Sequence, residues 1–126
     1  MNQIFLRGRL TADAEVRITN DETPTTIARF SIAVPDKSHR NSNGEYDTDF
    51  IKCVAFNSVA NSIETYTGKG AEILIQGRLH TYTYKNKEEK LVYMSEVIVE
   101  KLEFISNCKK NEVPDDIPDV DNLPFK

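Results

Sequence analysis

Tryptophan is missing from this chain, and cysteine, histidine and long apolar runs are scarce; each shortage excludes something. With no indole available, any aromatic surface must be built from six phenylalanines and five tyrosines. Two cysteines, Cys53 and Cys108, do not make a disulfide framework. Cys53 alternates in facing with its aromatic neighbours and is expected to pack inward, while Cys108 lies where the fold is expected to end; a reduced, cytoplasmic setting follows. The two histidines, His39 and His80, are far apart and lack the close partners of a zinc site. Gly68-Lys69-Gly70 lacks the rest of a phosphate loop, and no nucleophile has an evident base. No enzyme, metal or cofactor is therefore expected. No apolar run approaches the ~18 residues of a membrane span, and the start, Met1-Asn2-Gln3-Ile4-Phe5, lacks the marks of a secretory signal.

Charge is the next constraint. A net charge of −4 is not the footprint of a basic binder, but it is distributed unevenly. Residues 1–111 carry fifteen basic and fifteen acidic side chains, whereas residues 112–126 carry Glu112, Asp115, Asp116, Asp119 and Asp121 against Lys126 alone. The acidic excess belongs to the tail, and a neutral body can still present a basic face.

Apolar periodicity divides the body into strands. Ile4–Leu10 alternates like a half-buried strand, and a short run passes through Val16 and Ile18. Residues 25–34 form a β-rich strand expected to stop at Pro35, and residues 35–44 read as a polar loop. A strand over residues 49–56 then completes a long hairpin. Asn57 is placed to cap a helix carrying Val59, Ala60, Ile63 and Tyr66 at helical spacing, with Gly68 as its left-handed stop. A strand over 70–84, a charged loop over 85–90 and a last strand over 91–105 follow. An all-β, five-stranded OB-fold barrel with one short helix between strands 3 and 4 is the expected architecture. The domain is placed at 1–106, and 107–126, which hold three of the five prolines, are read as a disordered acidic tail.

Two strands interleave rings with cations. Alternation puts Phe50, Lys52 and Phe56 on one face of the third main strand. It puts Arg78, His80, Tyr82 and Tyr84 together on the fourth, with Ile73, Ile75 and Leu79 directed to the core. Arg29, Lys85 and Lys87 join the group as phosphate-tracking cations, with Arg7 and Arg9 as weaker candidates; Tyr82 could instead pair across the hairpin with Tyr93. Flat rings suit unpaired bases and cations suit phosphates, the pattern of a single-strand nucleic-acid platform.

By its motifs the chain resembles the bacterial and phage single-stranded DNA-binding protein family. The carriers are Leu6-Arg7-Gly8-Arg9-Leu10-Thr11 with Asp13, Glu15 and Arg17, then Ala28-Arg29-Phe30-Ser31-Ile32-Ala33-Val34 and Gly44-Glu45 before Asp49-Phe50-Ile51. Tyr66-Thr67-Gly68-Lys69-Gly70, Ile75-Gln76-Gly77-Arg78-Leu79 and Glu96-Val97 complete the series. The resemblance implies base stacking at Phe50, Phe56 and Tyr84; a fourth family position falls near Ser38, which is not aromatic. It implies sequence-independent binding and protection of single-stranded DNA in replication, recombination and repair, by a homotetramer, in the cytoplasm of a bacterium or of a phage's host. It also implies that the acidic tip, with Asp119, Asp121, Leu123, Pro124 and Phe125, docks replication and recombination proteins, although Lys126 displaces the terminal carboxylate by one residue. The alternative is an OB-fold protein-interaction adaptor of the primosome type.

Overall fold

The computed structural model describes residues 1–108, the side chain of His39 excepted. Six strands and one helix follow in the order β1 (Ile4–Leu10), β2 (Glu15–Ile18), β3 (Thr26–Arg40), β4 (Tyr46–Phe56), α1 (Asn57–Tyr66), β5 (Glu72–Lys85) and β6 (Leu91–Ser106). The sheet runs β1-β5-β6-β4-β3-β2, and an added β1–β3 pairing through Arg9↔Ala33 and Leu10↔Ile32 closes five strands into a barrel. β4 and β6 meet in parallel at Cys53↔Val97 and Val54↔Ile98. This is the expected OB-type barrel, with the helix between the third and fourth long strands. The tail assigned from residue 107 onward lies outside the described residues beyond Cys108.

Small and branched apolar residues fill the interior. Ile32, Ile73, Ile75, Ala28, Ala55, Val97 and Leu10 are buried, and α1 adds Ala60 and Ile63 to the same cluster. Burying a side chain such as Ile63 contributes about 1.5–3 kcal/mol, so the helix is held by its apolar stripe rather than by its caps. Closure demands close backbone approach at Gly77, where a Cβ would stand 2.0 Å from the Ile98 carbonyl oxygen, and at Gly8, 2.5 Å from that of Ala33.

Several local expectations are corrected. β3 does not stop at Pro35 but runs to Arg40, with a register shift between Asp36 and Arg40. Pro35 pairs with Thr48 where β3 has no second neighbour, so its missing N–H costs no ladder bond on that side. The loop shrinks to a turn built on Asn41, whose side-chain oxygen accepts from the Asn43 and Glu45 N–H groups, with Gly44 at φ +79°. Asn86 builds the β5–β6 turn in the same way, accepting from Glu88 and Lys90. Asn57 is not the helix cap: Phe56 holds that place without a side-chain bond, and Asn57 itself has φ +55°. The helix ends at Thr67, whose N–H and hydroxyl both donate to the Ile63 carbonyl; the left-handed glycine is Gly70, not Gly68.

Gly77→Ala is expected to destabilise the domain by about 1–3 kcal/mol through overpacking. Gly70→Ala, which meets only open space but sits at φ +87°, is expected to cost less, about 1 kcal/mol. Thermal melts of the two variants, with Gly77→Ala the less stable, check the ranking.

Candidate nucleic-acid interface

β4 carries the best-presented part of the ring-and-cation surface. Opposite residues of an antiparallel pair share a face, so Thr48↔Pro35, Phe50↔Ala33 and Lys52↔Ser31 form one outward row. Phe50 is 70% exposed, far beyond what packing would leave for a core phenylalanine, and Lys52 is exposed beside it. The row then breaks. Cys53, Val54 and Ala55 are all buried, in the stretch where β4 is paired with β3 and meets β6; Cys53 and Ala55 belong to the core cluster. Burial also pushes the Cys53 thiol up to about 12. Phe56 is 37% exposed at the far end of β4, opposite Ile27 and separated from Lys52 by this buried segment.

β5 and β6 outrun the barrel as a two-stranded ribbon. Arg78↔Ile98, His80↔Glu96, Tyr82↔Met94 and Tyr84↔Val92 define one ribbon face, and Leu79↔Val97, Thr81↔Ser95 and Thr83↔Tyr93 the other. Tyr82 and Tyr93 are therefore not a cross-strand pair; Tyr82 stacks on His80 instead, with ring centroids 5.8 Å apart. Leu79 keeps the facing of Ile73 and Ile75, as alternation requires. It is not in the core, however, being 44% exposed at the barrel mouth where no opposing strand covers it. The side chain of Asn2 ties this stretch down, donating to the Leu79 carbonyl and accepting from its N–H, both at 2.9 Å.

Two grooves meet at Lys52, Met94 and Glu96. One, of about 420 Å³, brings Arg29, Lys52 and Tyr82 together. The other, of about 310 Å³, brings Phe50 beside Leu79 and Tyr93. Tyr93, 77% exposed, is the ring that sequence reasoning did not assign to the site. Its signal lies in register: counted back from buried Val97 in steps of two, Ser95 and Tyr93 share a face. Tyr84, Lys85 and Lys87 lie further out, on the ribbon and its turn, so the structure gathers Arg29, Lys52, Phe50 and Tyr82 and leaves Phe56, Tyr84, Lys85 and Lys87 apart from them. Ser38, at the position without a ring, bonds to Asp36 through its backbone N–H and its hydroxyl.

Not every cation is equally free. Arg29 Nη1 lies 3.1 Å from Glu96 Oε1, and Arg78 Nε lies 3.8 Å from Glu100. Arg7 Nε donates to Glu72 at 2.9 Å, Arg9 Nη2 lies 3.4 Å from the same carboxylate, and Ser106 donates to it as well. The Arg7 bond, then the Ser106 bond, hold the Glu72 carboxyl below its ordinary range. Among the described residues no ion pair engages Lys52, Lys85 or Lys87.

Comparison with known proteins fits this geometry. The family model described as "Single-strand binding protein family" matches residues 1–105. Single-stranded DNA-binding protein 1 of Staphylococcus aureus (strain Mu50 / ATCC 700699) is 35% identical over 117 residues, covering 93% of this chain and 73% of that protein. The single-stranded DNA-binding protein of Lactiplantibacillus plantarum (strain ATCC BAA-793 / NCIMB 8826 / WCFS1) is 38% identical over 112 residues, covering 89% of this chain and 54% of that protein.

Glu96 puts a carboxylate into the groove that Arg29 and Lys52 line. Glu96→Gln is expected to tighten binding of a single-stranded oligonucleotide by about threefold to tenfold at low salt and to lose that gain at high salt, as surface charge effects do. Titrations at two ionic strengths check it; unchanged affinity at both would mean the carboxylate does not face the ligand.

Proposed function

The chain belongs to the single-strand binding protein family, and from that premise we propose that it binds single-stranded DNA without sequence preference and protects it during replication, recombination and repair. It does so as a binding protein and not as an enzyme. The observation that carries the reading is the exposed Phe50 ring beside Lys52, which is unpaired among the described residues and sits where two grooves holding Arg29, Tyr82 and Tyr93 meet.

The mechanism follows from what these groups are. A ring accepts any base on its flat face, contributing about 1–3 kcal/mol per stacked base by truncation. Phe50, Phe56 and Tyr84 are the proposed stacking rings, with Tyr82 and Tyr93 beside them. Lys52, Lys85 and Lys87, with Arg29 and Arg78, neutralise phosphates and release counterions, so affinity falls with salt at a log–log slope of roughly −0.7 per phosphate. Duplex DNA keeps its base faces stacked, and discrimination by strandedness results. The working form is proposed to be a homotetramer in the bacterial or host cytoplasm. The acidic tip with Asp119, Asp121, Leu123, Pro124 and Phe125 lies outside the described residues; its composition supports a role in recruiting replication and recombination proteins.

Titration with oligo(dT), followed by tyrosine quenching across a salt series, is expected to show saturable binding that weakens as salt rises. Absence of quenching at low salt would reject the reading in favour of a protein-binding adaptor. Phe50→Ala combined with Tyr84→Ala is expected to weaken binding by about 2–5 kcal/mol, less if the two contacts couple. Removing residues 113–126 should leave DNA affinity intact or slightly raised while abolishing capture of replication partners; undiminished capture would sink the tail's proposed role.

A further inference from the structure

The tip of the β3–β4 hairpin holds a ring that neither the motifs nor the grooves assign. Tyr46 opens β4, and the strand runs from it to Phe56 with no extra residue on its own side; the register shift between Asp36 and Arg40 is absorbed entirely by β3. Regular alternation therefore carries the outward row of Lys52, Phe50 and Thr48 on to Tyr46. At about 3.4 Å per residue, its Cα lies about 14 Å from that of Phe50. Tyr46 is 41% exposed, and it is not loosely held. It pairs with Arg40 across the hairpin; the Arg40 guanidinium carbon stands 4.7 Å from the ring centroid, and Nη2 donates to the Tyr46 hydroxyl at 3.1 Å. Nη1 reaches the Gly44 carbonyl at 3.3 Å, so the turn itself anchors the cation. No carboxylate among the described residues pairs with Arg40.

We propose that Tyr46 and Arg40 form a further contact site for single-stranded DNA, with Tyr46 stacking a base and Arg40 orienting the ring and neutralising a neighbouring phosphate. The inference rests on the single-strand-binding reading and lengthens the β4 row from its middle to the hairpin tip. The ring lies outside the core cluster, past the last buried residue of its strand, so its one described packing partner is Arg40. A cation held at a ring without a carboxylate keeps its charge available to an anion, and pre-orientation lowers the cost of ordering both groups when ligand arrives.

The absence of tryptophan makes the test direct. Tyr46→Trp introduces the sole indole of the full chain, and Tyr66→Trp, at the helix position packed edge-on against Phe104, serves as the control. On saturation with oligo(dT), emission at position 46 should be strongly quenched and that at position 66 little changed. Tyr46→Ala should weaken binding by about tenfold and Tyr46→Phe by much less. Arg40→Gln should flatten the salt slope by about 0.7. If the otherwise unaltered protein binds oligo(dT) while position 46 stays unquenched and Tyr46→Ala keeps full affinity, this contact is wrong and the general reading stands. If the unaltered protein binds no oligo(dT), both fall together.

Discussion

Barrel closure is the constraint on which the rest of the molecule depends. Only two residue pairs, Arg9↔Ala33 and Leu10↔Ile32, join β1 to β3, and they can form because Gly8 lets the backbones approach where any Cβ would collide with the Ala33 carbonyl. Gly77 does the same between β5 and β6. Once the ring of strands is closed, its interior is filled by Ile32, Ile73, Ile75, Val97 and the Ala60–Ile63 stripe of the helix. Phe30 is the one aromatic side chain buried with them among the described residues; Phe50, on the outward row of β4, and Tyr93, on the β5–β6 ribbon beyond the barrel, are left exposed.

The same closure determines where strands exceed the barrel. β3 and β4 continue as one hairpin, and β5 and β6 as another, each finished by an asparagine whose side chain gathers backbone N–H groups of its turn. Among the described residues neither extension has a second strand beside it. These arms therefore tolerate polar and aromatic residues, and they extend beyond the barrel. Charge follows a complementary logic. Arginines on the barrel wall are drawn into pairs with Glu72, Glu96 and Glu100, while Lys52 on the β4 row and Lys85 and Lys87 at the ribbon tip stay unpaired among the described residues. A body with no net charge over residues 1–111 thus keeps free lysines beside exposed rings, Lys52 next to the Phe50 row and Lys85 next to Tyr84.

Much of this was legible before any coordinates. Alternation alone identified the buried set of β5 at Ile73 and Ile75 and the inward turn of Cys53, because a strand has only two sides. It failed at Leu79, where the facing was correct and the burial was not: alternation tells which way a side chain points but not whether anything stands opposite. It failed similarly at Pro35, read as a stop although an edge position tolerates it, and at Asn57, where cap chemistry was assigned one residue from the true boundary at Phe56. Tyr93 entered only as a possible partner of Tyr82; β5–β6 pairing sets it opposite Thr83 instead, and that register is encoded by neither strand alone.

What the chain of residues determined by itself is the kind of surface: rings and cations alternating on strands, an aliphatic interior, and an acidic excess confined to the last fifteen positions. Those properties are local, set by side-chain type and by a period of two. Tertiary structure alone decided the arrangement. It separated Phe56 from Phe50 by burying Val54 between them, brought Tyr93 beside Phe50, paired Arg29 with Glu96, and carried the β4 row out to Tyr46. Each of these outcomes depends on which strand lies next to which, and in what register, quantities that arise only when distant segments close around a common core.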